Sequence, residues 1–438
     1  MSQTPMNIPN ISPASATARY MALLAAFLGW LFDGVEIGLY PLVARPAIAE
    51  LTGDASMAAF HANHSWVVVA FLVGAACGGA LFGWLGDRFG RVRAMAWSVL
   101  VYSIFSGLCG LSGEVWHLVL FRFLSALGMG GEWALGVALV MEVWPSEKRW
   151  LLAGIIGAAA NIGIALIAIA GLYVNHLGAG LSALGLSDEL VQKLTNNGGW
   201  RLLMMLGAAP ALLTFFIRLF VPESEKWKHA SKNSAPVRLS EIFGTKHLRF
   251  TILATLLAAV ALLGTWGSVQ NLPSIAADLA GPEVKNARSV TQIWSALGSV
   301  TGCLAASVLA LMLSRRLSYF VMSLGSLVLC FWLFRYTPAY GDGFFYLTFA
   351  VGAITAAFYG WLPLYLPELF PTRLRATAQG FAFNAGRLIT AAGVLILGHI
   401  MADPKSLAPT CAAISLVYIA GMVVIWFCPE TKGKPLPE

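Results

Sequence analysis

Five ionisable side chains stand inside long apolar runs, and their types suit the movement of charge. Asp33 and Glu36 lie one helical turn apart in "GWLFDGVEIGLYPLV" (29–43), Arg122 and Glu132 fall in "RFLSALGMGGEW" (122–133), and Arg387 sits in "FNAGRLITAAG" (383–393). Placing one such charge in a bilayer costs roughly 2.5–3.5 kcal/mol, so an intramembrane charge signals a function. Three carboxylates stand against two guanidiniums, and arginine stays protonated, which leaves one carboxylate without an obvious counter-ion. Burial disfavours the ionised form of a lone carboxylate. A carboxyl that is neutral in one state and ionised beside Arg122 in another is a proton carrier. Other chemistry is poorly served. His61 and His64 in "HANH" have helical ligand spacing but are expected in an outer loop, and no metal site is expected there. The six cysteines lie in apolar stretches with no CxxC spacing and read as free thiols. No Ser/His/acid set shares one layer, so an enzyme is not expected. No cofactor is expected either, the energy source being a proton gradient.

The elements that must position these groups follow from composition. The 438 residues are 58% hydrophobic and 11% charged, against about 25% charged in a soluble domain, and the mean hydropathy is +0.74. A polytopic membrane protein of the cell (inner or plasma) membrane is implied. The polar start lacks the build of a cleaved leader, so the first span is expected to stay. Runs long enough to cross a bilayer fall at 19–42, 64–86, 93–111, 116–143, 150–173, 200–221, 249–271, 289–313, 317–336, 343–366, 376–401 and 407–428. With both termini cytoplasmic, 18 of the 28 lysines and arginines fall in cytoplasmic segments, as orientation requires. The net charge of +7 is thereby explained without nucleic acid. At 1.5 Å per residue, Glu36 and Arg122 lie roughly 9 Å and Asp33 roughly 14 Å below the outer surface. Glu132 is roughly 15 Å further in than Arg122, and Arg387 roughly 17 Å up from the cytoplasmic side.

Two cytoplasmic loops repeat at an offset of 226: "EVWPSEKRWLLAG" and "ELFPTRLRATAQG" both read E-x-x-P-x-x-x-R-x-x-x-x-G, aligning Glu142 and Arg149 with Glu368 and Arg375. The halves end alike, in "PESEKW" and "PETKGK". The expected organisation is a cytoplasmic tail (1–18), a six-helix half (19–221), a cytoplasmic linker (222–248), a second six-helix half (249–428) and a tail (429–438). A surface helix is expected within 174–199. The same offset pairs Arg387 with Asn161 at one depth on opposite halves, where a transporter of this build holds substrate. In "GWLGDRFGR" (83–91), Gly83 and Gly90 allow close approach of helices, while Asp87, Arg88 and Arg91 can pair across a helix end; the second half has Leu313 at the aspartate's place.

These residues resemble the major facilitator superfamily over nearly the whole chain. "GWLGDRFGR" is similar to the family's loop 2–3 motif, and the repeated loops to its loops 4–5 and 10–11. The resemblance implies twelve spanning helices in two pseudo-symmetric bundles that work by alternating access, and a cytoplasmic gate of Gly83, Asp87, Arg88, Gly90, Arg91, Glu142, Arg149, Glu368 and Arg375. Sugar porters and related proton symporters set a span-1 aspartate against a span-4 arginine. That role is carried onto Asp33 and Arg122, with Glu36 next. "FDGVE" resembles the span-1 motif of aromatic-acid:proton symporters, Glu36 replacing its second aspartate, and "RFLSALGMGGEW" and "FNAGRLITAAG" resemble spans 4 and 11 of organic-anion carriers. The paired glutamines of sugar porters' span 7 are missing; "GTWGSVQNLPSI" offers only Gln270 and Asn271.

A midplane arginine can bind a carboxylate bidentately. The expected function is therefore proton-coupled symport of a small organic anion, working as a monomer in the lipid bilayer. Arg387, Asn161, Glu132, Gln270, Asn271 and Trp361 are the expected substrate contacts, and Trp30, Tyr40, Trp133, Trp266 and Tyr359 are further cavity candidates. The alternatives are a sugar or polyol symporter, or a uniport facilitator or sensor without proton coupling.

Overall fold

In lipid a chain must satisfy its own backbone, so apolar runs of this length fold as helices. The computed structural model describes residues 15–173, 180–183, 185–209, 213, 216–217, 220–225, 227–228, 238–336, 338–400 and 407–437. Most of the N-terminal tail, much of the expected linker, the end of the sixth expected span and part of the 174–199 segment lie outside these residues, as does the His61 side chain.

All regular structure described is helical: α1 (Ala16–Thr52), α2 (Met57–Phe89), α3 (Arg91–Cys109), α4 (Val115–Val143), α5 (Arg149–Leu172), α6 (Asp188–Leu206), α7 (Leu248–Gly267), α8 (Leu272–Ala280), α9 (Ala287–Met312), α10 (Arg315–Tyr336), α11 (Asp342–Tyr365), α12 (Arg375–Ile400), α13 (Leu407–Ile414) and α14 (Val417–Val424), with short 3-10 turns between. Ten stretches among the described residues are long and apolar enough to cross a membrane. Large apolar side chains such as Trp66, Trp332 and Phe427 remain exposed on the outside of the bundle, as a lipid-facing surface requires.

Several expected boundaries are corrected. α1 continues ten residues past the expected exit at 42, through Pro41 and Pro46, because Val43, Ala44, Ala47 and Ile48 still find an apolar interior. α2 begins at Met57, so "HANH" belongs to a helix rather than a loop, and His64 stacks on Tyr40 at 5.4 Å. The seventh run is a broken helix that reaches Ala280, not 271. Its break lies at Ser268–Asn271: Ser268 Oγ and Asn271 Nδ2 donate back to the Gly264 and Gly267 carbonyls, and Pro273 starts α8. α6 also contains a break, with non-helical backbone at Asn196–Gly199.

Helices meet closely where side chains are smallest, as lipid-embedded helices do. A Cβ on Gly34 of α1 would run into the Ala160 carbonyl of α5, and one on Gly163 of α5 into the Leu31 carbonyl of α1. Seams between α1–α6 and α7–α14 run along α5 against α9 and α2 against α12. Residues 15–19 and 429–437 lie at one end of the bundle, termed here the terminal end: Trp144 Nε1 donates to the Arg19 carbonyl (3.0 Å), and Arg375 Nη2 to the Pro437 carbonyl (3.0 Å).

Candidate functional site

Antiparallel α1 and α4 bring the buried acids and Arg122 together. Glu36, not Asp33, takes Arg122: its Oε1 accepts from Arg122 Nη1 and from Ser125 Oγ (3.2 Å), and its Oε2 accepts from Ser106 Oγ. The Arg122 guanidinium also lies over the rings of Phe71 (4.3 Å) and Tyr40 (5.1 Å). Glu36 and Arg122 are each 1% exposed. The expected Asp33–Arg122 pair is thereby corrected, because along antiparallel helices the later acid on α1 meets the earlier residue on α4. Ser106 and Ser125 were not singled out from sequence; two serines on the inner faces of apolar helices were the signal available.

Asp33 faces Glu132 instead. The two carboxyls are close enough for a side-chain hydrogen bond, yet none of their four oxygens has a donor among the described residues. Glu132 packs where Gly29 of α1 leaves room for it. Arg387 of α12 interacts electrostatically with both Asp33 and Tyr359, and its Nε and Nη1 have no partner among the described residues.

Tyr359 lines a small cavity, of about 60 Å³, that carries several polar side chains. Asn161 of α5, Thr265 of α7, Gln270 at the break, Gln292 of α9 and Thr355 and Tyr359 of α11 face it. Asn161 Nδ2 donates to the Gly157 carbonyl (3.2 Å), Tyr359 Oη to Thr265 Oγ1 (2.9 Å), and Gln292 Nε2 to the Gly38 carbonyl of α1 (2.9 Å). Of the expected contacts, Asn161 and Gln270 line this cavity. Asn271 does not, its amide being spent on the helix break. Trp361 is also corrected: it is fully buried, stacked on Tyr365 (4.5 Å) and tilted against Tyr319 (5.1 Å), where aromatic packing holds it. Neither Glu132 nor Arg387 is on the cavity wall: Arg387 acts on Tyr359 from behind it, and Glu132 lies further off, at Asp33 and Gly29. Trp30 and Trp133 pack together (6.2 Å), Trp133 against Phe383 (4.2 Å), and Trp266 against Phe71 (5.5 Å). Thr265, Gln292 and Thr355 escaped the sequence reading because single polar residues in apolar runs carry no facing information.

A second charged cluster lies at the terminal end. Asp87 pairs with Arg91 and accepts, across to α12, from the Thr377 backbone N–H (2.7 Å) and its hydroxyl. Arg91 and Arg375 both approach Glu142 Oε1 at 3.4 Å, and Glu142 Oε2 accepts from Ser224 (2.6 Å). The Glu223 carboxylate accepts from the N–H groups of Arg91 (3.0 Å) and Val92 (3.1 Å) at the start of α3. The pattern recurs: Arg315 holds Glu368 bidentately (3.0 and 2.9 Å), and Glu430 accepts from the Arg315 (3.0 Å) and Arg316 (3.2 Å) N–H groups at the start of α10. Gly83 lets α2 approach the Ala376 carbonyl of α12, and Gly90, at φ 114°, adopts backbone that side chains disfavour. One expected member stands apart: Arg88 is exposed, over the rings of Trp84 and Phe89, because its position on α2 points outward. Arg149 donates back to the Met141 carbonyl (3.0 Å) and lies within electrostatic reach of Glu368 and Glu142.

A helical bundle with buried charges beside a polar internal cavity defines a multi-pass membrane transporter rather than an enzyme. The chain matches the model of the Major Facilitator Superfamily over residues 21–394, and it belongs to that family. It is 28% identical to the "Probable 4-methylmuconolactone transporter" of Cupriavidus pinatubonensis, over 93% of this chain and 90% of the relative. It is 27% identical to the cis,cis-muconate transport protein of Acinetobacter baylyi, over 95% of both. The fold matches that of the E. coli proton:xylose symporter XylE with a TM-score of 0.75 at 20% identity, covering 97% of this chain and 98% of that one. The chain is thus a multi-pass transporter of the cell membrane.

Proposed function

We propose that this protein imports a small organic anion together with protons, by alternating access of two six-helix halves in a twelve-span bundle whose termini face the cytoplasm. The unit is the monomer. The observation that carries the reading is the Asp33–Glu132 carboxyl pair beside Arg387, itself beside Tyr359 on the cavity wall. In one state Arg387 neutralises ionised Asp33. When a substrate carboxylate takes Arg387, Asp33 loses its counter-charge and shares a proton with Glu132. Substrate and proton then occupy the site together, which is the condition for symport. The Glu36–Arg122 pair holds α1 on α4 beside this site. Asn161, Gln270 and Tyr359 would orient the rest of the substrate. The cluster around Glu142 would be the cytoplasmic gate. The relatives named for muconate and 4-methylmuconolactone support a carboxylate or lactone substrate.

One observation favours a second reading: the cavity wall itself is uncharged and rich in amides and hydroxyls, as a sugar or polyol site would be. Uptake of labelled carboxylates and sugars into proteoliposomes, with and without an inward proton gradient, separates the two. Gradient-driven carboxylate uptake, lost in Asp33→Asn with counterflow retained and weakened in Arg387→Ala, is expected. Transport of sugars alone, or uptake indifferent to the gradient, would overturn the reading.

A further inference from the structure

On the side away from the termini, Gln292 on the cavity wall reaches across the seam to the Gly38 carbonyl of α1 (2.9 Å). Arg45 lies seven residues beyond Gly38 on α1, roughly 10 Å toward the mouth, and Arg288 four residues before Gln292 on α9, roughly 6 Å in the same direction. The outer ends of these helices converge: a Cβ on Gly171 of α5 would lie 3.3 Å from Ser289 Oγ and 3.6 Å from Leu42 Cδ1. Arg45 and Arg288 are close enough to act electrostatically on one another, and both are half-buried. Neither enters any ion pair found among the described residues. The carboxylate nearest in effect, Asp278 of α8, acts on Arg288 from an exposed position, where water screens it. Two half-buried like charges on opposite sides of a seam repel unless an anion lies between them.

We propose that Arg45 and Arg288 form an outer anion-binding station that captures the substrate's carboxylate at the mouth and passes it inward along Gln292 to the cavity. The ligand class is a small carboxylate, and a dicarboxylate suits it best, one end engaging each guanidinium. Each arginine comes from a different set of helices, so a captured anion also removes the repulsion that opposes closure of the mouth. Charge at a narrow entrance raises the local concentration of the oppositely charged solute and the rate of its capture. This station rests on the organic-anion reading.

The test uses the full-length protein, with labelled cis,cis-muconate uptake measured in proteoliposomes at low and high salt. Muconate binding to the purified protein is followed in parallel by thermal shift. Arg45→Gln and Arg288→Gln are each expected to raise the apparent KM about three- to tenfold, with the maximal rate held within about twofold and the salt dependence of KM flattened. Arg45→Lys and Arg288→Lys should recover part of both effects, which a merely structural role would not give. Unchanged KM and salt slope in the glutamine variants, with the wild type carrying muconate, overturn the station and leave the organic-anion reading standing. A muconate-induced shift that disappears in the double glutamine variant, from a wild type that does not transport muconate, does the reverse. A wild type that neither binds nor transports muconate overturns both.

Discussion

At the scale of single residues, the site separates two kinds of buried acid. Glu36 has three donors, one of them the Arg122 guanidinium, whereas among the described residues Asp33 and Glu132 have each other and the nearby Arg387 and no hydrogen-bond donor. Removing one partner of a buried pair strands a charge and costs about 3–5 kcal/mol, while replacing both by apolar groups of similar size is often neutral. Arg122→Met is therefore expected to lower the melting temperature strongly. Adding Glu36→Leu should restore it, as read by thermal unfolding in detergent; a double variant as unstable as the single would contradict the structural role given to this pair. Glu132→Gln behaves differently. It keeps the shape and supplies a permanent donor to Asp33, so folding should survive. Proton-driven accumulation should drop at least about tenfold while exchange of substrate across the membrane continues, a loss of roughly 1.4 kcal/mol or more in coupling. Equal loss of exchange and accumulation would remove Glu132 from the proton path. The sequence made the five buried charges legible because hydrophobic surroundings alone mark them. Depth arithmetic brought Glu36 and Arg122 to one level, but not Asp33 and Glu132. A glutamate's reach across Gly29 has no linear signature.

Elements show the same division between local and non-local information. The apolar runs gave most of the helices, and the E-x-x-P-x-x-x-R repeat marked equivalent loops, since both are patterns within short windows. The break at Ser268–Asn271 and the passage of α1 through Pro41 and Pro46 depend on what packs outside the helix, so no window contains them. The α1–α5 seam is a comparable case, decided by glycines whose partners are more than a hundred residues away. Gly34→Val would force α1 from the Ala160 carbonyl, and Gly163 meets the Leu31 carbonyl in the same way. Overpacking of this kind costs about 1–3 kcal/mol. Gly34→Val should therefore give less folded protein on size-exclusion chromatography and a lower melting temperature. Gly343→Val, at an exposed position with no atom near its Cβ, should change neither. A fully stable Gly34→Val protein would mean that α1 and α5 do not meet as described.

Across the whole molecule, the two charged clusters at the terminal end are alike in chemistry and unlike in what they join. Glu368 and Arg315 both belong to the C-terminal helices and meet the Thr431 hydroxyl and Glu430 there. Asp87, by contrast, reaches from α2 to Thr377 of α12, and Arg91 donates to the Thr372 carbonyl (3.2 Å). Glu142 adds a further bridge to Arg375. Among the described residues, the hydrogen bonds and ion pairs of the first cluster therefore span the seam along which alternating access would open the bundle, whereas those of the second stay within the C-terminal helices and reach across it only through the field of Glu368 on Arg149. Leu313, at the position matching Asp87, is why the copy cannot do the same. Weakening the first cluster should shift the equilibrium between open states, whereas weakening the second should act on stability. Asp87→Asn removes the charge that holds Arg91 and Thr377 together, and a change of one or two kcal/mol moves a two-state population about 5- to 30-fold. Spin labels placed on either side of the seam at the terminal end should report a large rise in the separated population for Asp87→Asn. Glu368→Gln should leave that distribution near the wild-type one and lower the melting temperature instead. If both substitutions open the seam equally, the bridging contacts of Asp87 are not what holds this end closed, and the gate must lie in the packing of α2 against α12 itself.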